Sequence, residues 1–377
     1  MALRSTPHTR LFGRAVGLSS PMGFALSLAL ALFIHSAVAH AAPTSKPVRM
    51  ASTSLSRNTA NLVSDDARWD SRFGGVENSG VFVLLWAPDG SLYAGGVVAP
   101  GSSRSAVYHW DGASWQPVGF GFDGGVYCMA FDAQGRLVVG GDFASADGSL
   151  ARNIARWDGS HWSELGGGVD ATVRALTRGP DGALYVGGDF SHAGNVVAPH
   201  IARWTATGWT AIGSGLPGFV SAIAFDYRGT LHVGGGFAYT DPQGFTSFRG
   251  VARWDGATWS YVGLIAPTTS LAFGRLGEFY AGGAFGSYLG PGGQFVQING
   301  IARWDGTNWL PVGGGVEASV TPRVRALAVA QDNSLLVAGS FESAGGQSFR
   351  NIASWNGTAP AAYIIVTLNP LNMSLSE

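Results

Sequence analysis

From about residue 67 onward, short apolar runs alternate with glycine-rich and polar breaks, and the same order of runs returns six times. The first run of each unit is Val81 to Trp86, Val126 to Phe131, Val173 to Thr177, Val220 to Phe225, Thr269 to Phe273 or Val324 to Val329. A turn signal follows, clearest as Pro-Asp-Gly at Pro88 to Gly90 and Pro180 to Gly182. The second run is Leu92 to Gly96, Leu137 to Gly141, Leu184 to Gly188, Leu231 to Gly235, Phe279 to Gly283 or Leu335 to Gly339. A third run, Ile-Ala-Arg-Trp or a variant, comes after a loop of variable length, and a fourth begins at another tryptophan. Runs this short, bounded by turn residues, read as strands. The Asp-Gly steps between third and fourth, such as Asp158-Gly159 and Asp255-Gly256, can adopt the positive φ of a tight hairpin. The density of such steps excludes helical repeats.

The tryptophans fix the period. Those of the third run are Trp110, Trp157, Trp204, Trp254, Trp304 and Trp355, at intervals of 47, 47, 50, 50 and 51 residues. Those of the fourth are Trp69, Trp115, Trp162, Trp209, Trp259 and Trp309. A period of this size marks an array of supersecondary units. One four-stranded sheet has two apolar faces and is unstable alone; six set radially bury those faces against each other. The two series are also out of phase, since Trp69 precedes the first series and Trp355 has no clear successor in the second. The sequence therefore predicts an all-β, six-bladed β-propeller of four-stranded antiparallel blades over 67–357. Its ring would be closed by the N-terminal strand at Trp69 joining the last blade at Trp355. An open solenoid would need polar capping repeats, and no segment reads as one.

The order apolar strand, LYVGG, IARWD, W-x-x-L-G resembles the kelch repeat, whose second strand ends in a double glycine and whose fourth begins with a tryptophan. More closely, it is similar to exported bacterial propellers with ARWDG-type repeats and to the repeats of the fungal cortical polarity marker Rax2. The resemblance covers about residues 67 to 357 and implies the propeller fold. Kelch-like propellers serve as enzymes, ligand readers and scaffolds, so it implies no single activity. Galactose oxidase, a kelch-like enzyme, needs two tyrosines, two histidines and a tyrosine–cysteine crosslink. Here Tyr127 and Cys128 are neighbours on one strand and point to opposite faces, and no histidine pair matches the copper ligands.

The ends read differently. Residues 1–41 look like a signal peptide: Arg4, Arg10 and Arg14, then the apolar Met22 to Val38, then Ala39-His40-Ala41 as a small-x-small cleavage site. The same apolar run, left uncleaved, would act as an anchor. Residues 42–66 form a Ser/Thr/Ala-rich linker, and 358–377 an irregular tail that replaces the expected tryptophan strand with Ala-Ala-Tyr-Ile-Ile-Val. The expected location is periplasmic or secreted, with no membrane span after cleavage. Charged residues are only 12% and the net charge is −1, which argues against a nucleic-acid partner. Cys128 is the single cysteine, so strand pairing and packing must do the work of a disulfide.

Candidate chemistry is sparse. The repeated tryptophans Trp69, Trp110, Trp157, Trp204, Trp254, Trp304 and Trp355 invite a sugar-stacking role, but a ring wedged between blades suits their fixed strand positions better. Arg156, Arg203, Arg253 and Arg303 share one repeat position and are expected to bond carbonyls or carboxylates between blades. The double glycines lack the following helix of a phosphate loop, and the Asp-Gly acids lack calcium-loop spacing. His192 and His200 are the one histidine pair to weigh for zinc, without a third ligand. No metal or cofactor is expected. The position after the first valine, near the axis, reads Phe82, Tyr127, Arg174, Ser221, Thr269 and Arg325, neither a metal ring nor an acid–base pair. Recognition is expected in the unequal loops between second and third strands, where Tyr239, Phe245, Phe248, Tyr288 and Phe295 are the candidate ligand-binding residues. These features point to a non-catalytic, monomeric binding or scaffold propeller for a protein or glycan of the cell envelope or exterior. The alternatives are an oxidoreductase or hydrolase using loop residues such as His192, His200, Asp241 and Arg323, and a fragment of a larger surface protein.

Overall fold

The computed structural model describes residues 80–97, 104–240, 246–263, 267–290, 294–330, 332–357 and 360–361. These hold strands and turns and no helix. Six four-stranded antiparallel sheets follow one another in chain order. Sheet 1 contains Gly80–Trp86, Leu92–Val97, Val107–Trp110 and Trp115–Pro117. Sheet 2 contains Val126–Phe131, Leu137–Gly141, Ile154–Trp157 and Trp162–Glu164. Sheet 3 contains Val173–Arg178, Leu184–Gly188, Ile201–Thr205 and Gly208–Ala211. Sheet 4 contains Val220–Phe225, Leu231–Thr240, Thr246–Trp254 and Trp259–Tyr261. Sheet 5 contains Thr268–Phe273, Phe279–Gly283, Ile301–Trp304 and Trp309–Pro311. Sheet 6 contains Arg323–Val329, Leu335–Ser340, Ile352–Trp355 and Pro360–Ala361. The Trp69 segment and residues 1–79 lie outside the described residues. The edge of Ile352–Trp355 that the sequence assigned to it is paired instead with Pro360–Ala361, Ser354 opposite Ala361 and Trp355 opposite Pro360.

Two features of the second strand explain its double glycine. In every sheet the first strand carries a β-bulge, a register shift spanning Phe82, Tyr127, Arg174, Ser221, Thr269 or Arg325. The bulge pushes a backbone carbonyl toward the second strand. A Cβ on Gly96, Gly141, Gly188, Gly235 or Gly339 would overlap that oxygen, and one on Gly283 would lie 2.5 Å from it. The preceding glycine faces the next sheet. A Cβ there would meet Val126 Cγ1 at 3.0 Å from Gly95, Thr268 Cγ2 at 2.9 Å from Gly234 and Val324 Cγ1 at 2.5 Å from Gly282, and would overlap Val173 from Gly140 and Val220 from Gly187. One glycine thus admits the bulge and the other admits the neighbouring sheet.

The core sits between sheets. Each of five apolar clusters draws on two consecutive sheets: Met129 and Val139 with Leu85 and Val107, for example, or Val324, Leu335 and Val337 with Ala272 and Tyr280. Within a sheet, the two tryptophans pair across the outer hairpin at 5.0–5.5 Å between centroids in sheets 1 to 5. Between sheets, the fourth-strand indole donates backward to a backbone carbonyl: Trp162 Nε1 to Val118 at 2.8 Å, Trp209 to Gly166 at 3.0 Å, Trp259 to Ile212 at 3.1 Å and Trp309 to Val262 at 2.8 Å. Each ring therefore adds apolar burial and satisfies its one polar atom at the same contact.

Candidate binding face

The antiparallel order gives the sheets two unlike ends. The lower end carries the turns between first and second strands and between third and fourth. In the latter only the glycine takes positive φ, +100° at Gly112 and +106° at Gly159; the aspartate acts through its side chain. Asp158 Oδ1 accepts the amides of Ser160 at 2.8 Å and His161 at 2.7 Å, and Asp111, Asp255 and Asp305 repeat the pattern. These amide bonds hold the carboxyls of Asp111 and Asp158 down to about 2. Such groups are turn locks and poor proton carriers.

The upper end is larger and less regular. Its connections between second and third strands fold into small hairpins: Ser145–Ala146 with Ser149–Leu150, His192–Ala193 with Val196–Val197, Ser287–Leu289 with Phe295–Gln297, and Ser343–Ala344 with Gln347–Ser348. In sheet 4 the two strands themselves run on, pairing Tyr239 with Ser247 and Ala238 with Phe248. The incoming connection from the preceding sheet braces the hairpin. Asp123 Oδ1 accepts the amides of Ala144 and Ser145, both at 2.8 Å, and Asp170 Oδ1 those of Ser191 and His192 at 2.8 and 2.9 Å. The signal in the sequence is a recurring Gly-apolar-acid step, Gly121-Phe122-Asp123, Gly168-Val169-Asp170 and Gly315-Val316-Glu317, which the repeat alignment had passed over.

The first-strand bulges open at this same end. Arg174, Ser221, Thr269 and Arg325, with apolar residues from the first strands of sheets 1 and 2, line one central cavity of about 210 Å³. Beside it Phe82, 53% exposed, packs on Tyr127 at 5.6 Å between ring centroids. The Tyr127 hydroxyl donates to Asp142 at 2.7 Å. Burial and that bond push the phenol up to about 12. Arg174 makes a forked pair with Asp189 at 2.8 and 2.7 Å and stands 5.8 Å over the Phe219 ring. Cys128, next to the bulge, is buried, and burial pushes its thiol up and keeps it unreactive.

The expected ligand residues separate. Phe248 and Phe295 are 59% and 79% exposed. Tyr239 is half-buried, edge-on to Tyr261 at 5.3 Å with the Arg249 guanidinium 5.1 Å over its ring. Phe245 lies outside the described residues. Tyr288 requires a correction: it is 5% exposed, packs with Phe285, Ile298 and Trp309, and donates its hydroxyl to the Trp309 carbonyl at 2.6 Å. It anchors its hairpin and offers a ligand nothing. Sequence reasoning missed Phe120, Leu150, Val197 and Val320, all exposed in upper connections or hairpins.

The repeated arginines do not behave alike. Arg203 pairs with Asp181 at 2.5 Å, within its own sheet rather than across to the next. The Nε of Arg156 and of Arg203 is buried without an acceptor. His192 Nδ1 lies 3.0 Å from Asp170, while His200 Nδ1 lies 3.3 Å from the Gly188 carbonyl, so the pair does not converge. Among the described residues no three His, Cys, Asp or Glu side chains are placed to hold a metal ion. None of these residues forms a helix long and apolar enough to cross a membrane.

The family described as "Domain of unknown function (DUF5122) beta-propeller" matches residues 134–157 and 179–208. Both matches run from the lower turn through the second and third strands of consecutive sheets, the register in which the radial packing repeats. The fold is a β-propeller. No curated protein matches the chain. Among solved structures, PorZ, an essential surface component of the type-IX secretion system of Porphyromonas gingivalis, is similar at 13% identity and a TM-score of 0.47, over 80% of this chain and 43% of that one. Virginiamycin B lyase from Staphylococcus aureus is similar at 11% identity and a TM-score of 0.47, over 78% and 87%. This propeller thus spans less than half the length of PorZ, and likeness at this level says nothing about activity.

Proposed function

We propose that the chain is an exported, non-catalytic, kelch-like propeller of six blades that binds a protein or glycan of the cell envelope or exterior through its upper face. One observation carries this reading. Of the nine large apolar side chains exposed among the described residues, Phe82, Phe120, Leu150, Val197, Phe248, Phe295 and Val320 lie at the upper end, and Tyr227 and Leu276 at the lower. Exposed apolar groups concentrated on one end of a rigid scaffold mark an interaction face. Six sheets whose first strands share one cavity support the blade number. The signal-like residues 1–41 support export. Closure of the ring by the Trp69 strand is part of the same reading, supported by the offset of the tryptophan series, and it requires that strand to take the edge of Ile352–Trp355 in place of Pro360–Ala361.

The test compares two double variants in a glycan array and in quantitative binding to envelope proteins. Phe248→Ser with Phe295→Ser should weaken the captured ligand about tenfold or more, as removal of interface anchors does. Tyr227→Ser with Leu276→Ser should leave it unchanged. Binding lost with the lower pair and kept with the upper pair would overturn the assignment of the face.

A further inference from the structure

The six bulge residues present one backbone device in every sheet with side chains that vary, and only arginine recurs, at Arg174 and Arg325. Their chemistry is sorted around the cavity. Phe82 and Tyr127 stand together on sheets 1 and 2. Arg174 on sheet 3 and Arg325 on sheet 6 flank the Ser221 and Thr269 hydroxyls of sheets 4 and 5, and these four side chains line the cavity itself. The two arginines differ in state. Arg174 is neutralised by its fork with Asp189, whereas Arg325 is exposed and no carboxylate pairs with it among the described residues. The Thr269 hydroxyl is committed to the Val324 carbonyl at 2.5 Å. That bond ties sheet 5 to the strand that presents Arg325.

We infer that this mouth binds an acidic sugar, a uronate unit of a glycan, with Arg325 receiving its carboxylate and the Phe82–Tyr127 pair receiving the apolar face of its ring. This rests on the upper face being the ligand face and names the chemistry at its centre. An unpaired guanidinium at a concave site selects a planar anion that can accept two parallel hydrogen bonds. A lone carboxylate would leave the rest of the mouth unused. Asp142 and Asp189 bond Tyr127 and Arg174 on sheets 2 and 3, and their carboxylates can also accept sugar hydroxyls. A sugar acid supplies one charge, several hydroxyls and an apolar ring face, and so matches all three parts, whereas an acidic peptide matches one. Few polar groups in an otherwise apolar concavity is the usual build of a small-ligand site.

The experiment titrates the full chain with a short oligogalacturonate and with its methyl ester by calorimetry. The acid form should bind, more weakly as salt rises, and the ester about tenfold less well, the loss expected when one charge-assisted contact worth about 1.4 kcal/mol is removed. Arg325→Ala should match the ester's loss on the acid form, and Phe82→Ala should weaken both forms by about fivefold. Both sites are exposed, so far-UV circular dichroism and tryptophan emission should be unchanged. Equal binding of acid and ester, or an Arg325→Ala affinity within about twofold of the parent, overturns the inference. If the acid does not bind the parent chain while another ligand is lost with Phe248→Ser and Phe295→Ser, the mouth assignment fails and the face stands. If oligogalacturonate binds and only Tyr227→Ser with Leu276→Ser abolishes it, both fail.

Discussion

Five contacts between consecutive sheets share one construction, and sheets 6 and 1, at the two ends of the series, lack it. At Gly95, Gly140, Gly187, Gly234 and Gly282 the second strand has no side chain, and a β-branched residue of the next sheet fills the space. Val126, Val173, Val220, Thr268 and Val324 are each fully buried there. Sheet 6 has Ala338 at this place, and Val81, which holds the valine's place in sheet 1, is only half-buried. None of the five core clusters joins these two sheets. Leu336, Ala338 and Ile352 instead line the central cavity with Val83 and Leu84. A methyl group that these five contacts exclude is present on sheet 6, at Ala338. Tight packing in a repeat array is thus a property of copied neighbours, and the two ends of the series are built from different parts.

That contrast makes its strongest prediction at the glycines. Gly187→Ala puts a carbon against Val220 that cannot move without displacing a buried strand, and should cost about 3 kcal/mol, the upper range for overpacking a close-packed core. Ala338→Gly removes one buried methyl and should cost about 0.5–1 kcal/mol, chiefly through unfolded-chain entropy. Urea unfolding of the two variants checks both values. Equal costs would erase the distinction between the junctions.

A smaller effect bears on what pairs with the edge of Ile352–Trp355. If the Trp69 strand closes the ring, Trp69→Ala should lower stability by about 2 kcal/mol, a partial loss of an aromatic's burial, and removal of residues 358–377 should change little. The reverse result in thermal unfolding would give the edge of Ile352–Trp355 to Pro360–Ala361 and leave the ring without an N-terminal strand.

How far the sequence could go follows from what each feature depends on. Strand order and the roles of the fourth-strand tryptophans depend on period and alternation, which are written residue by residue; the strand limits matched within a few positions for that reason. The bulges are a matter of backbone register, so Phe82 through Arg325 could be aligned near the axis without it being evident that they break the ladder to face the mouth. Tyr288 and Phe295 looked alike because composition marks a loop but not the sides of the hairpin it folds into; one ring turns under to Trp309 and the other out to solvent. The brace at Asp170 was legible as a repeated acid after glycine, but only its amide partners across 21 and 22 residues say what it does.

The smallest predicted effect concerns that brace, the part of the upper face that depends on no contact between sheet faces. Partial burial pushes the Asp170 carboxyl up, and the bonds from the Ser191 hydroxyl, the His192 and Ser191 amides and the His192 ring outweigh it and hold the group at about 2. A carboxyl whose folded value lies below the ordinary value of about 3.9 contributes stability above that value and loses it as pH falls toward 2. With Asp170 42% exposed, solvent screens the gain, and global unfolding should hardly register it. The amides of Ser191 and His192 should register it. Their hydrogen exchange should stay slow at pH 5, beyond the intrinsic trend speed up between about pH 4 and 2, and be fast at both ends in Asp170→Asn. Protection that survives to pH 2, or in the variant, would mean that the His192–Ala193 and Val196–Val197 hairpin holds itself, and that the upper face is rigid without its carboxylates.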